Sequence, residues 1–315
     1  MSGNKAKGYL LGAAAAATYG MNPLFALPLY KAGMDPDSVL FCRYVFAVPV
    51  IGLMIKLRGR DFRLEKRGIL PLFFMGFLLA VSSIGLFYSY RYMDAGIAST
   101  LLFVYPVMVA LIMAAVFREK MGVMTIFCIL LAVFGVGLLC RSGDGAVLSW
   151  TGIGLVMLSS VSYAVYIVSV NRIRRLKEMP TVKMTFYVLA FSSLLLFTRV
   201  GFGQGLVFPQ GAFQWGSLVC LSLLPTVVSF LATTQAIHYI GPTPTAILGA
   251  LEPVTAVFFG VLLFDESLTP RLFLGIVLII TAVSLIVAEG NITAYMVRFR
   301  KLFPKLPVRK KLFGK

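Results

Sequence analysis

The chain divides into ten apolar runs, each about as long as a bilayer is thick, joined by short polar loops. They cover residues 8–30, 36–57, 69–90, 96–117, 121–140, 150–170, 182–200, 213–239, 242–264 and 271–288. About 20 apolar residues of helix cross a hydrocarbon core. Lipid offers no partner to backbone polar groups, so continuous runs of this kind fold as helices. They lack the period-two alternation of a membrane β-barrel. Of the 315 residues, 59% are hydrophobic and only 13% charged, more apolar surface than a soluble domain of this size has use for. The expected fold class is an all-α integral membrane protein with ten transmembrane helices. The first run is longer than a signal-peptide core and nine more follow it, so it is read as retained.

The formal net charge is +17, but the basic residues sit in loops and tail. No soluble basic domain is present to read a groove, which argues against a nucleic-acid partner. One side of the predicted membrane carries 23 Lys and Arg, the other 5, with Arg43 left inside a span. This asymmetry predicts a multi-pass cytoplasmic (inner) membrane protein with both termini in the cytoplasm. The segment after Glu289 mixes Lys and Arg with Met296, Phe299, Phe303 and Phe313. It suits either a surface-lying segment drawn to anionic lipid or a solvated basic tail.

The sequence contains one long stretch twice. Ser99–Glu119 aligns without a gap to Ala246–Glu266, matching Pro106 with Pro253, Phe117 with Phe264 and Glu119 with Glu266. Tyr105 stands where the second copy has Glu252. Gly8 and Tyr19 likewise match Gly152 and Tyr163. Each half therefore holds five runs. Five is odd, so the second copy enters the membrane from the opposite side, an inverted repeat of the kind secondary transporters use. The expected organisation is a lead over 1–7, a first repeat over 8–140, a linker over 141–149, a second repeat over 150–288 and a tail over 289–315. Glu119 and Glu266 would end corresponding helices on opposite faces.

Two five-helix halves, each with Tyr-Pro or Glu-Pro in mid-helix and ending Phe-x-Glu, resemble the EamA family of the drug/metabolite transporter superfamily. Here these marks are Tyr105-Pro106 with Phe117–Glu119, and Glu252-Pro253 with Phe264–Glu266; Arg43 in the second run resembles the arginine of that family. The resemblance spans about residues 8–288. It implies ten helices around a central cavity and movement of small metabolites, often export of amino acids or related compounds.

Glu252 is the leading site candidate, because an intramembrane acid persists only when paired, protonated or facing a polar cavity. Three roles stay open for it: a proton-coupling carboxylate, an anchor for a substrate ammonium, or a structural acid paired with Arg43 or hydroxyls. Arg43 lies roughly 10 Å from the outer face at 1.5 Å per residue. It suits a substrate carboxylate, a pairing with Glu252, or snorkelling to the interface. Tyr19, Tyr105 and Tyr163 fall near the middle of their runs, as do Ser83 and Ser229, with Ser82 and Thr226 beside them. A central hydroxyl needs a partner, so these residues are cavity-lining candidates. His238 and Asp94 fall near run ends and are assigned to the solvated interface.

The single histidine and scattered cysteines (Cys42, Cys128, Cys140 and Cys220) offer no metal-ligand spacing, and the cysteines read as small packing residues. No Gly-rich phosphate loop suggests ATP as an energy source. No cofactor and no enzyme chemistry are expected. The expected function is a secondary transporter of small polar metabolites working by alternating access, with protons as candidate coupling ion. A passive channel or facilitator, and a carrier of lipid-linked or drug-like substrates, are the alternatives.

Overall fold

The computed structural model describes residues 3–93, 95–118, 121–139, 149–264, 269–271, 273–282 and 284–285. The expectations for Asp94, Glu119, Cys140, Glu266, most of the linker and the basic tail lie outside the described residues. Among the described residues all regular structure is helical. In chain order the helices are α1 (Gly3–Tyr19), α2 (Asn22–Lys31), α3 (Pro36–Leu57), α4 (Lys66–Ser89), α5 (Ala95–Leu102), α6 (Tyr105–Ala115) and α7 (Val123–Leu139). After the linker come α8 (Trp150–Arg172), α9 (Arg174–Glu178), α10 (Thr181–Arg199), α11 (Ala212–Ser222), α12 (Ser229–Ile240), α13 (Pro242–Leu248) and α14 (Leu251–Phe264). A last apolar helix, α15, covers Phe273–Ala282. Among the described residues, six helical segments are long and apolar enough to cross a membrane: Gly3–Lys31, Pro36–Leu57, Lys66–Ser89, Trp150–Arg172, Thr181–Arg199 and Ala212–Ile240. The chain is thus a multi-pass membrane protein.

Among the described residues, four of the apolar segments are interrupted, each at or just before a proline. A proline has no N–H for the carbonyl four residues back. Pro23 withdraws a donor from Tyr19, and α1 gives way to α2 there, through the turn from Gly20 N–H to the Ala16 carbonyl. Pro106 withdraws one from Leu102, where α5 ends, and the hydroxyl of Ser160 on α8 donates to that carbonyl at 3.1 Å instead. Pro253 withdraws one from Gly249, and the amide of Glu252 takes its place at 2.9 Å. Pro225 withdraws one from Leu221 inside a π-helical turn, Leu223–Val228, and Thr226 Oγ1 donates to the Leu221 carbonyl at 2.8 Å. The break in the first segment falls at Gly20–Met21, and Pro28 sits within α2.

Helices from the first half pack chiefly on helices from the second. α4 lies along α8 and α1 along α12; α3 and α4 both pack on α10, and α6 touches α8 and α13. The contacts are lined with hydroxyls. Ser159 Oγ donates to the Ser82 carbonyl at 2.6 Å, and Ser192 Oγ to the Gly76 carbonyl at 2.8 Å. Ser82, Ser159 and Ser192 are all buried, while Leu53, Phe77, Leu111, Phe134, Leu158 and Phe258 point outward. Small polar residues inside and bulky apolar ones outside is the arrangement that lipid selects. Cys42 and Cys128 are buried and Cys220 half-buried, none in a disulfide.

Candidate substrate site

The interruptions place polar groups at one level of the bundle. α14 begins with Glu252 in its first turn, and α6 begins with Tyr105. Tyr105 Oη donates to Glu252 Oε1 at 3.4 Å, across the two halves. The ring of Tyr163, on the unbroken α8, meets Tyr105 edge-on at 5.0 Å between centroids, and lies parallel to Tyr19 at 6.2 Å. Three of the expected tyrosines and the acid thus form one cluster. Two glycines make room for it. A methyl group on Gly249 would overlap the hydroxyl of Tyr105, and one on Gly20 would overlap the backbone carbonyl of Glu252.

Beside Glu252 is a cavity of about 20 Å³, bordered by Tyr19, Asn22, Tyr90, Ser99, Leu102 and Glu252. That is room for about one water molecule. Asn22, the first residue of α2, is 2% exposed, and neither its amide nitrogen nor its oxygen has a hydrogen-bond partner. Buried amides are normally satisfied, so Asn22 is available to whatever occupies the cavity. Sequence reasoning passed over Asn22, Tyr90 and Ser99. The signal for Asn22 was present: an amide one residue before a proline, inside an apolar run.

Arg43 forms a second polar centre. It is fully buried, so it does not snorkel. Its Nε donates to Thr226 Oγ1 at 2.6 Å and its Nη2 to the Pro225 carbonyl at 3.1 Å. The wide π-turn around Pro225 therefore supplies the acceptors. Three rings surround the guanidinium: Phe87 at 5.4 Å, Tyr44 at 5.5 Å and Tyr19 at 6.0 Å. Nη1 has no partner. No carboxylate of the described residues lies within ion-pair distance of Arg43, and none of their cations within that distance of Glu252. A pairing of Arg43 with Glu252, one of the alternatives the sequence left open, is absent from this conformation; Tyr19 borders both groups. Ser83 is bonded to the hydroxyl of Tyr44 at 2.5 Å, and Ser229 donates to the Ala15 carbonyl at 3.1 Å. Ser83 thus supports the Arg43 surroundings through Tyr44, while Ser229 ties α12 to α1 away from Glu252.

At one end of the bundle, a further network joins the halves. Arg199, closing α10, holds Asp37 of α3 with Nε at 2.9 Å and Nη2 at 3.0 Å. Tyr88 of α4 donates to Asp37 Oδ2 at 2.6 Å. At the other end, Lys183 Nζ donates to the Arg63 carbonyl, Tyr187 Oη to the Phe62 carbonyl, and Arg175 Nη1 to the Arg67 carbonyl at 2.7 Å.

The model of the EamA-like transporter family matches residues 6–141 and again 150–288. The chain belongs to the EamA-like transporter family. Its relatives include the uncharacterized transporter YcbK of Bacillus subtilis, 25% identical over 256 residues, which cover 76% of this chain and 79% of the relative. The uncharacterized transporter sll1319 of Synechocystis is 27% identical over 260 residues, covering 79% and 78%. An uncharacterized transporter of Archaeoglobus fulgidus is 28% identical over 260 residues, covering 80% and 87%. A protein of known crystal structure shares the fold with a TM-score of 0.72 over 93% of this chain and 99% of its own, at 18% identity. The family and the names of these relatives accordingly assign this EamA-like protein to transport.

Proposed function

We propose that this EamA-like protein is a secondary carrier of small zwitterionic metabolites, amino acids or close relatives, exporting them across the cytoplasmic membrane by alternating access. The observation that carries the reading is a pair of opposite charges inside the bundle: Arg43, fully buried against the Pro225 turn, and Glu252, half-buried in the first turn of α14. Among the described residues neither Glu252 nor Arg43 has an ion-pair partner, and both border Tyr19. A buried lone charge is costly, and a ligand with an ammonium at one end and a carboxylate at the other neutralises both. Asn22 adds a free amide between the ammonium end and the interruption. Tyr105, Tyr163 and Tyr19 wall the site, Ser83 and Thr226 hold the Arg43 side, and Ser229 fixes α12 against α1.

Ten membrane helices in two inverted repeats, over 8–140 and 150–288, fit the packing. Exchanging the halves turns the α4–α8 contact into the α12–α1 contact and the α6–α13 contact into the α14–α5 contact, and leaves the α3–α10 contact in place. The paired family matches support the same division. Positive-inside asymmetry orients both termini to the cytoplasm, which makes the Asp37–Arg199–Tyr88 network the outer closure. A cavity of about 20 Å³ beside Glu252 admits no metabolite until helices move, as a carrier requires and an open channel does not. Between substrates, Glu252 is free to take up a proton, giving a coupling ion.

Counterflow in proteoliposomes tests the proposal, using labelled amino acids and related metabolites with and without a pH gradient. Saturable flux stimulated by unlabelled substrate on the opposite side supports the carrier. Flux without saturation or counterflow points to a channel. Transport of neutral drug-like or lipid-linked compounds with none of amino acids would refute the zwitterion reading.

A further inference from the structure

The end of the bundle that carries most of the basic residues contains a second, larger cavity, of about 300 Å³. It lies among the C-terminal end of α3, the α9–α10 connection and the C-terminal end of α12. Arg58, Arg60 and Lys177 line it, together with His238 and the first residues of α10. His238 was assigned to the solvated interface. Instead its Nε2 is shut away from solvent and has no hydrogen-bond partner.

The backbone adds to this. α10 begins after Pro180, which has no side-chain acceptor to cap the first turn. The N–H groups at Thr181 and Val182 are therefore left uncapped at the positive end of a 19-residue helix, and such a terminus attracts anions. One carboxylate, Glu178, also lines the cavity, but Arg174 Nε holds it at 2.9 Å. Arg58, Arg60 and Lys177 have no such counter-ion; among the described residues none forms an ion pair. Three free cations and an uncapped helix start converge on one concavity, with the His238 ring in its wall.

We propose that this cavity is a binding site for a phosphate-type anion, separate from the Glu252 site. Its position at the ends of three membrane spans (Leu57, Thr181 and Ile240) sets it at the level of lipid headgroups. Basic pockets between helix ends at that depth suit anionic phospholipid, while a soluble phosphate presents the same chemistry. The phosphate would lie at the start of α10, with Arg58, Arg60 and Lys177 around it.

The test uses the full-length protein purified in a neutral detergent, titrated with inorganic phosphate and, separately, with dioctanoyl phosphatidylglycerol. Binding is read by calorimetry and by the shift in Tm. Binding of the lipid without phosphate assigns the site to a headgroup, and binding of phosphate assigns it to a soluble anion. In the double variant Arg58→Gln/Arg60→Gln the affinity of the binding probe should fall roughly thirtyfold, about fivefold per cation removed. Arg91→Gln, at the opposite end, should leave it unchanged. Lys177→Gln, a single exposed substitution, supplies a second reading should the double variant misfold, with a loss of about fivefold. Failure of both probes to bind, or equal affinity in wild type and variants, overturns the proposal.

Discussion

Replacing Gly249 by alanine should expose how tightly the two halves are fitted at Glu252. The new methyl group would occupy the position of the Tyr105 hydroxyl, whose ring carbon would lie 2.8 Å away. The backbone itself accepts alanine, since φ at Gly249 is −55°. The perturbation is thus one of packing. Overfilling a well-packed site costs about 1–3 kcal/mol. Removing the hydroxyl alone, in Tyr105→Phe, gives up its 3.4 Å bond to Glu252, and costs about 0.5–1.5 kcal/mol. In the double variant the overlapping atom is gone. Gly249→Ala should then cost little, since alanine also restricts the unfolded chain by about 0.4–1 kcal/mol in its favour. The remaining ring contact keeps the rescue partial. The expected coupling between the two positions is about 1 kcal/mol or more, within the range for residues in contact. Denaturant unfolding of the four proteins in one detergent measures it. Costs that add to within about 0.5 kcal/mol would show that the Tyr105 hydroxyl does not lie against Gly249, and would remove the cross-half contact on which the site was built.

Three other outcomes follow from the site. Glu252→Gln should keep the fold and abolish the dependence of counterflow on a pH gradient; an unchanged gradient response would end the coupling role. Arg43→Gln should weaken carboxylate-bearing substrates by about 2–3 kcal/mol, or thirtyfold and more, and neutral analogues far less, as competition in proteoliposomes will show. Equal losses would make Arg43 a structural partner of the Pro225 turn. Asp37→Asn, which breaks a partly exposed ion pair and leaves Arg199 unmatched, should lower stability by about 1 kcal/mol. It should also raise the labelling rate of cysteines introduced next to Tyr88, whereas an unaltered rate would show that the network does not hold that end closed.

Much of this was legible from the sequence, and the exceptions have physical causes. Run length and polarity located the six long apolar spans, because lipid imposes one rule on all of them. Prolines were visible, but their effect was not. Pro49 and Pro71 sit inside continuous helices, α3 and α4, whereas Pro106 and Pro253 begin new ones. Where a break occurs depends on what replaces the missing donor, as Ser160 does for Leu102, and that donor comes from another helix. The tyrosines and Glu252 were grouped correctly by depth. The partner of Arg43 was not, because depth says nothing of the rotation that turns Arg43 toward Thr226, 183 residues away. Asn22 was missed for want of attention to a lone amide, and His238 because a position near a run end does not reveal whether a pocket opens beside it.

The interrupted helices carry a mechanical consequence. Where α1 meets α2, α5 meets α6 and α13 meets α14, the regular ladder is already open, and i→i−3 turns or neighbouring side chains have taken over its stray groups. Flexing an intact helix at those points would require breaking hydrogen bonds in a medium that offers no replacement. Here the joints are built in advance. Under the proposed alternating access, the half-helices on either side would swing as stiff levers about a fulcrum made of Tyr19, Tyr105 and Glu252, with the leverage greatest at the two mouths of the bundle and least at the proposed site.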